Sequence, residues 1–346
     1  MNTRSFLGVT AHFTYNGQLT SAMLGAYEFS TSHTAEHLKD KLKDVCEEWG
    51  IALSKITAIV TDNGPNIVKA VDLFLGKIFH LACCAHTLNL IAERSIKSVE
   101  GIVELLQNVR TIVTWFPTRW NSTFYMIERF ILLRGDVNEI VNNYVSAPAM
   151  ITSKEIEELR SIAEILRPLE AATAELCGEK YVTASTVIPL INGIQHECSK
   201  LSPTHDSAFK LRQAVLSEIE YRFGQVESVH FFAIACLLDP RFKKLHFKNP
   251  LACSRAITQI KENMRMIAHK KTENLPEESG ANGESKNSVT AEEKPGFSVW
   301  NVHHGLVKKV QSQKNDSFLD SDSVTEELNM FLKSPITPFK SDPIRT

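Results

Sequence analysis

Four short stretches combine residue types that can do chemistry. Thr61-Asp62-Asn63-Gly64-Pro65-Asn66 sets one carboxylate at the end of an apolar run. With further acids, a carboxylate so placed binds a divalent cation that activates water against phosphate. The same residues also make an Asx turn capping the next helix, and on local sequence alone the turn is preferred. Cys83-Cys84-Ala85-His86 holds a Cys-x-x-His pair, half of a zinc site. A structural zinc needs four ligands, and no second pair of suitable spacing lies near. His303-His304 is remote in a polar tail, so zinc is not expected, and a packed cysteine beside a hydrogen-bonded histidine is the better reading. Thr118-Arg119-Trp120-Asn121-Ser122 joins a planar cation to a large aromatic. Such a pair grips phosphate and stacks on an unpaired base, or buries the ring while the arginine meets an acid; taken alone, burial is preferred. Leu238-Asp239-Pro240-Arg241-Phe242-Lys243-Lys244 reads as a solvated helix end with basic residues. No Gly-rich phosphate loop, nucleophile elbow or Ser/His/Asp arrangement stands out.

These residues need elements to hold them. Residues 5–13 and 19–29 are β-rich runs separated by Tyr15-Asn16-Gly17, whose Asn-Gly pair predicts a hairpin. Thr34 is placed to cap a helix with Leu38, Leu42, Val45 and Trp49 on one face. Residues 56–61 read as a buried parallel strand ending at the Asp62 turn, and Asn66 opens a helix through Leu73. Residues 80–83 read as another strand and 86–95 as a helix. The expectation is helices on one mixed sheet, with Asp62 at a strand's carboxyl end, where ligands collect.

From Ile102 the periodicity is helical: Ile102, Leu105, Leu106, Val109, Ile112 and Val113 form a stripe. Further helices are predicted over 124–133, 153–177, 187–198, 208–223 and 231–237, the last stopped by Pro240 after Asp239. The polar 269–294 stretch reads as disordered. Beyond it, 297–310 and 323–332 carry helical patterns, and 335–346 reads as frayed.

The 346 residues, 43% hydrophobic and 23% charged, have globular composition. A formal net charge of -2 provides no global positive field, although a local basic patch is compatible with it. Seven scattered cysteines argue for a reducing compartment rather than a disulfide framework. No signal peptide or membrane-length apolar run is read, so the nucleus or the cytoplasm is expected.

In order, the landmarks are Ser5-Phe6-Leu7-Gly8-Val9-Thr10-Ala11-His12-Phe13, Ile59-Val60-Thr61-Asp62-Asn63, Cys83-x-x-His86 with Thr87-Leu88-Asn89-Leu90, and Thr118-Arg119-Trp120-Asn121-Ser122. Leu166-Arg167-Pro168-Leu169-Glu170-Ala171-Ala172-Thr173, Tyr181-Val182-Thr183-Ala184-Ser185 and Leu238-Asp239-Pro240-Arg241-Phe242 follow. Together they resemble the hAT transposase superfamily, and within it the zinc finger BED domain-containing proteins. The resemblance implies an RNase H-like core interrupted by an all-helical insertion, with two Asp and one Glu binding Mg²⁺. It matches Asp62 to the second Asp, places His86 near that site and assigns Arg119 and Trp120 to DNA contact.

The same resemblance puts the first Asp on a strand before Ser5, and the final Glu in a Ser-Glu-Arg dimerisation segment not found in 1–346. A BED finger and a helical stretch between Phe116 and Pro117 are also not found. The expectation is thus an α/β plus all-α chain: a partial RNase H-like core over 1–116, an all-α insertion over 117–268, a linker over 269–296 and a helical remnant over 297–346. Its Asp62 is vestigial, it needs no cofactor and does not cut DNA. It binds DNA or protein partners in the nucleus, with a monomer favoured. An active transposase completed by further sequence and a non-functional fragment are the alternatives.

Overall fold

A computed structural model describes residues 4–29, 32–113, 120–142, 148–177, 184–273, 298–311 and 323–343. It opens with an antiparallel hairpin, β1 (Ser5–Tyr15) and β2 (Gln18–Phe29), closed by a two-residue loop. Asn16 at φ 48° and Gly17 at φ 70° supply the two left-handed residues that a type I′ turn demands. A bulge follows, because Val9 faces Gly25 while Thr10 faces Met23. Helix α1 (Ala35–Glu48) starts where expected, the Thr34 side chain accepting from the His37 N–H. Leu38, Leu42 and Val45 are buried, but Trp49 lies just past the last turn and is half exposed. It does not join their face.

Strand β3 (Ile59–Thr61) is shorter than the predicted 56–61, with residues 56–58 running irregularly from a 3₁₀ turn at 53–55. It pairs in parallel with β4 (His80–Ala82), Ile59 opposite His80 and Thr61 opposite Ala82. Between them lies α2 (Pro65–Phe74), begun by Pro65 in the first turn, where its missing N–H is harmless. Ala35, Leu38 and Ala70 pack with Phe29 and Ile67, tying the hairpin's end to α1 and α2. Among the described residues no ladder joins the two strand pairs, so the single mixed sheet is instead two two-stranded pieces. Three-residue strands offer few ladder groups, and the Asn-Gly turn satisfies β1 with its own neighbour.

The helical part begins with α3 (Cys84–Lys97) and α4 (Glu100–Val113), then α5 (Trp120–Asn142), α6 (Ser153–Leu176), α7 (Val187–Lys200) and α8 (Asp206–Phe223). Leu88, Ile91, Ile102, Leu106, Ile127, Leu159, Ile162 and Leu166 are fully buried. Burying each such side chain contributes about 1.5–3 kcal/mol, which holds α3 against α6 and α8. Thr152 and Glu155 form a capping box at the start of α6.

The chain divides into two compact units, Met1–Thr183 with Glu197–Phe223, and Ala184–His196 with Gly224–Ile344. The second contains α9 (His230–Leu238), α10 (Pro250–Glu273), α11 (Asn301–Gln311) and α12 (Ser323–Lys333). Pro240 ends α9 as predicted, Asp239 having already turned extended. Helix α10 was not anticipated and runs into the stretch read as linker. Asn249 caps it, accepting from the Leu251 and Ala252 N–H groups, and Ala256 and Ile260 pack with Ala233, Leu237 and Leu328. Residues 274–297 lie outside the described residues. No helix among those described is long and apolar enough to cross a membrane.

Candidate functional site

Asp62 follows the last residue of β3 and is exposed. Its Oδ1 accepts the Gly64 N–H at 3.0 Å, the Asx turn that leads the chain into α2. Asn63 donates from Nδ2 to Thr87 Oγ1 at 3.3 Å, and the Thr87 hydroxyl donates to Cys83 O at 3.0 Å. These bonds bring the Asp62 turn beside the first turn of α3, which carries half-buried His86. Two of the segments singled out in the sequence thus meet.

Parallel pairing places a further group here that sequence reading missed. Thr61 Oγ1 donates to Asp62 O at 2.8 Å and lies 2.8 Å from His80 Nε2. The hydroxyl has one proton, already given to Asp62 O, so His80 Nε2–H is the donor to Thr61 Oγ1. Burial holds the His80 pKa below its ordinary value, which favours the neutral ring. The apolar spacing of residues 56–61 and 80–83 carries the strand signal but not the register that joins Thr61 to His80.

Cys83 and Cys84 are both half-buried; burial, aided by Cys83, pushes the Cys84 thiol up to about 12. It is a packed thiol, not a ready thiolate ligand. Among the described residues, no three His, Cys, Asp or Glu side chains are grouped to hold a metal ion.

Arg119 lies outside the described residues; Trp120 opens α5, and its side chain lies outside them too. What positions this helix start is described. Thr123 and Phe124 are buried, and Arg110 Nη2 of α4 donates to Thr123 Oγ1 at 3.2 Å. On the next turns Arg167 pairs with Glu128 at 3.1 Å, and Tyr125 donates its hydroxyl to Glu170. The Leu166–Glu170 landmark thus anchors α5 to α6.

Within the second unit the stretch after α9 corrects a prediction. Asp239, Arg241 and Lys243 are buried, not a solvated cap. Arg241 donates from Nη2 and Nε to the two Asp239 oxygens, and Ser185 Oγ donates to Oδ2 at 2.7 Å. Phe242, Trp300, His303 and Phe339 surround this turn with rings. His303, read as part of a polar tail, is buried with its Nδ1 3.0 Å from His246 Nε2. A charge followed by an aromatic is unremarkable in sequence until residues a hundred positions away close over it.

No family model matches the chain. It is 22% identical over 278 residues to Zinc finger BED domain-containing protein 4 of Homo sapiens, an alignment covering 70% of this chain and 23% of that protein. It is 24% identical over 241 residues to the Transposable element Hobo transposase of Drosophila melanogaster, covering 62% of this chain and 35% of the transposase. The chain therefore spans between about a quarter and a third of the length of these relatives. Over most of its length the chain is thus similar both to a zinc finger BED domain-containing protein and to a transposase, the two kinds of protein that the hAT resemblance joins.

Proposed function

We propose that the chain is a domesticated, catalytically inactive hAT transposase-like protein that binds DNA or protein partners in the nucleus. The observation that carries this reading is the state of Asp62: its carboxylate serves as the acceptor of a local turn, and the described residues hold no group of three or more His, Cys, Asp or Glu that could bind a metal. Phosphoryl chemistry by two metal ions needs several ligands in fixed geometry, and one exposed carboxylate does not provide them. In this reading the 1–116 segment derives from an RNase H-like core and 117–268 from the helical insertion. The protein acts as a monomer without a metal cofactor. His86, Arg119 and Trp120 contact nucleic acid, the arginine gripping phosphate and the indole stacking on an unpaired base. The naming of one relative as a transposase supports DNA as the partner.

Two assays on the full chain test this. With hairpin or transposon-end DNA and Mg²⁺ or Mn²⁺, no strand is cut; clear cutting that disappears in Asp62→Ala overturns the inactive reading. Binding to the same DNA weakens with rising salt, as counterion release requires, and weakens further in Trp120→Ala by ~1–3 kcal/mol. Absence of salt-dependent binding removes DNA as the partner.

A further inference from the structure

Lys243 is buried, only 3% exposed, and adopts a left-handed backbone at φ 49°, unusual for a lysine. Its ammonium lies at the carboxyl end of α12, 2.7 Å from Phe331 O, 2.7 Å from Ser334 O, 2.6 Å from Ser334 Oγ and 3.3 Å from Pro335 O. All of these acceptors are neutral. No carboxylate pairs with Lys243 among the described residues, and burial lowers its pKa from the ordinary lysine value. A buried cation without a counter-charge is costly, and the group it touches at its solvent side is modifiable. Ser334 is exposed, follows the last helical residue and precedes Pro335.

We propose that Ser334 is a phosphorylation site for a proline-directed serine/threonine kinase, and that its phosphate pairs with Lys243 to lock α12 in place. In the step, Ser334 Oγ bonds to the γ-phosphorus of a nucleoside triphosphate. The bond from that phosphorus to its bridging oxygen breaks, the nucleoside diphosphate leaves, and the hydroxyl proton passes to the kinase's base. The modification removes the Ser334 hydroxyl's bond to Phe331 O, and the α12 dipole opposes an anion at its carboxyl end. The ammonium already at Oγ offsets both, because a charge-assisted bond to phosphate replaces one to a neutral hydroxyl.

Two other sites precede proline and serve as comparators. Thr337 has a buried Oγ1, with no partner among the described residues, and a backbone N–H bonded to Pro240 O, so its modification requires the segment to open. Ser202 precedes Pro203 and lies exposed in the other unit. The inference stands apart from the DNA-binding proposal and does not need it.

The test treats the full chain with a proline-directed kinase and ATP, then maps phosphate by mass spectrometry and follows hydrogen exchange over 323–343. Phosphate is expected on Ser334, with α12 exchange slowed by roughly three- to tenfold, and Ser334→Ala abolishes both. A phosphorus NMR titration of the phosphorylated chain tests the pairing without altering Lys243: the phosphate's second pKa is expected below its usual value of about 6. Modification of Ser202 or Thr337 with Ser334 left bare overturns the site. Faster exchange in α12 or an ordinary phosphate pKa overturns the lock.

Discussion

Arg241 and Asp239, two residues apart at the end of α9, form a bidentate ion pair with almost no solvent contact, Nη2 to Oδ2 at 2.7 Å and Nε to Oδ1 at 2.9 Å. The Arg241 N–H also donates to Oδ1 at 2.9 Å, so one carboxylate closes both the turn and the pair. Removing one member leaves the other charged and dry. Arg241→Met should lower unfolding free energy by ~3–5 kcal/mol, and Asp239→Asn by a similar amount. Urea titration of the full chain checks this, and a loss below about 1 kcal/mol would show that water already screens the pair.

Acid should loosen the second unit through His246 and His303. Burial holds the His246 pKa down to about 3, with His303 and Lys248 adding to the shift, and that of His303 to about 4, with His304 and Arg241 adding. These are bases whose folded pKa values lie below the unfolded value, so the unfolded chain binds more protons as pH falls. Their stabilising contribution is complete above about pH 6.5 and is lost progressively towards pH 4, at up to about 1.4 kcal/mol per pH unit for each histidine. His246 Nδ1 is buried and has no partner among the described residues, which fits a bare ring nitrogen and places the proton on Nε2, the donor to His303 Nδ1. Equilibrium unfolding followed between pH 7 and 4 should flatten in His303→Leu, and an unchanged slope would remove the pair from the account.

Asp62→Ala should cost only about 0.5–1.5 kcal/mol, the worth of one turn hydrogen bond on an exposed side chain. Asp62→Asn keeps the acceptor and should be near neutral. A larger loss in both variants, read by thermal unfolding, would give the carboxylate charge a role beyond the turn.

Gly17→Ala should destabilise the hairpin by ~1–2 kcal/mol, because φ 70° is strained for a residue with a Cβ even though the space beside it is open. Hydrogen exchange of the β1 and β2 amides would report it. Unaltered protection would mean that the loop changes its turn type at no cost.

The features legible in the sequence are those whose causes lie within a few residues. Asn16-Gly17 specifies its own backbone, Thr34 and Thr152 cap with groups three positions on, and Pro240 stops α9 by sterics alone. Even the unanticipated α10 had a local signal in Asn249-Pro250 followed by the Ala252, Ala256 and Ile260 stripe. Asp62 as a turn residue at a strand end was readable for the same reason. The partners of Asp239, Arg241, Lys243 and His246 were not, because they come from Ser185, His303 and the 331–339 segment, between 54 and 98 residues away. Local spacing describes which side chains are polar, but only folding decides which polar groups lose water and must find each other. That long-range desolvation turned an apparently solvated basic stretch into a buried ion pair and a lysine held by neutral oxygens.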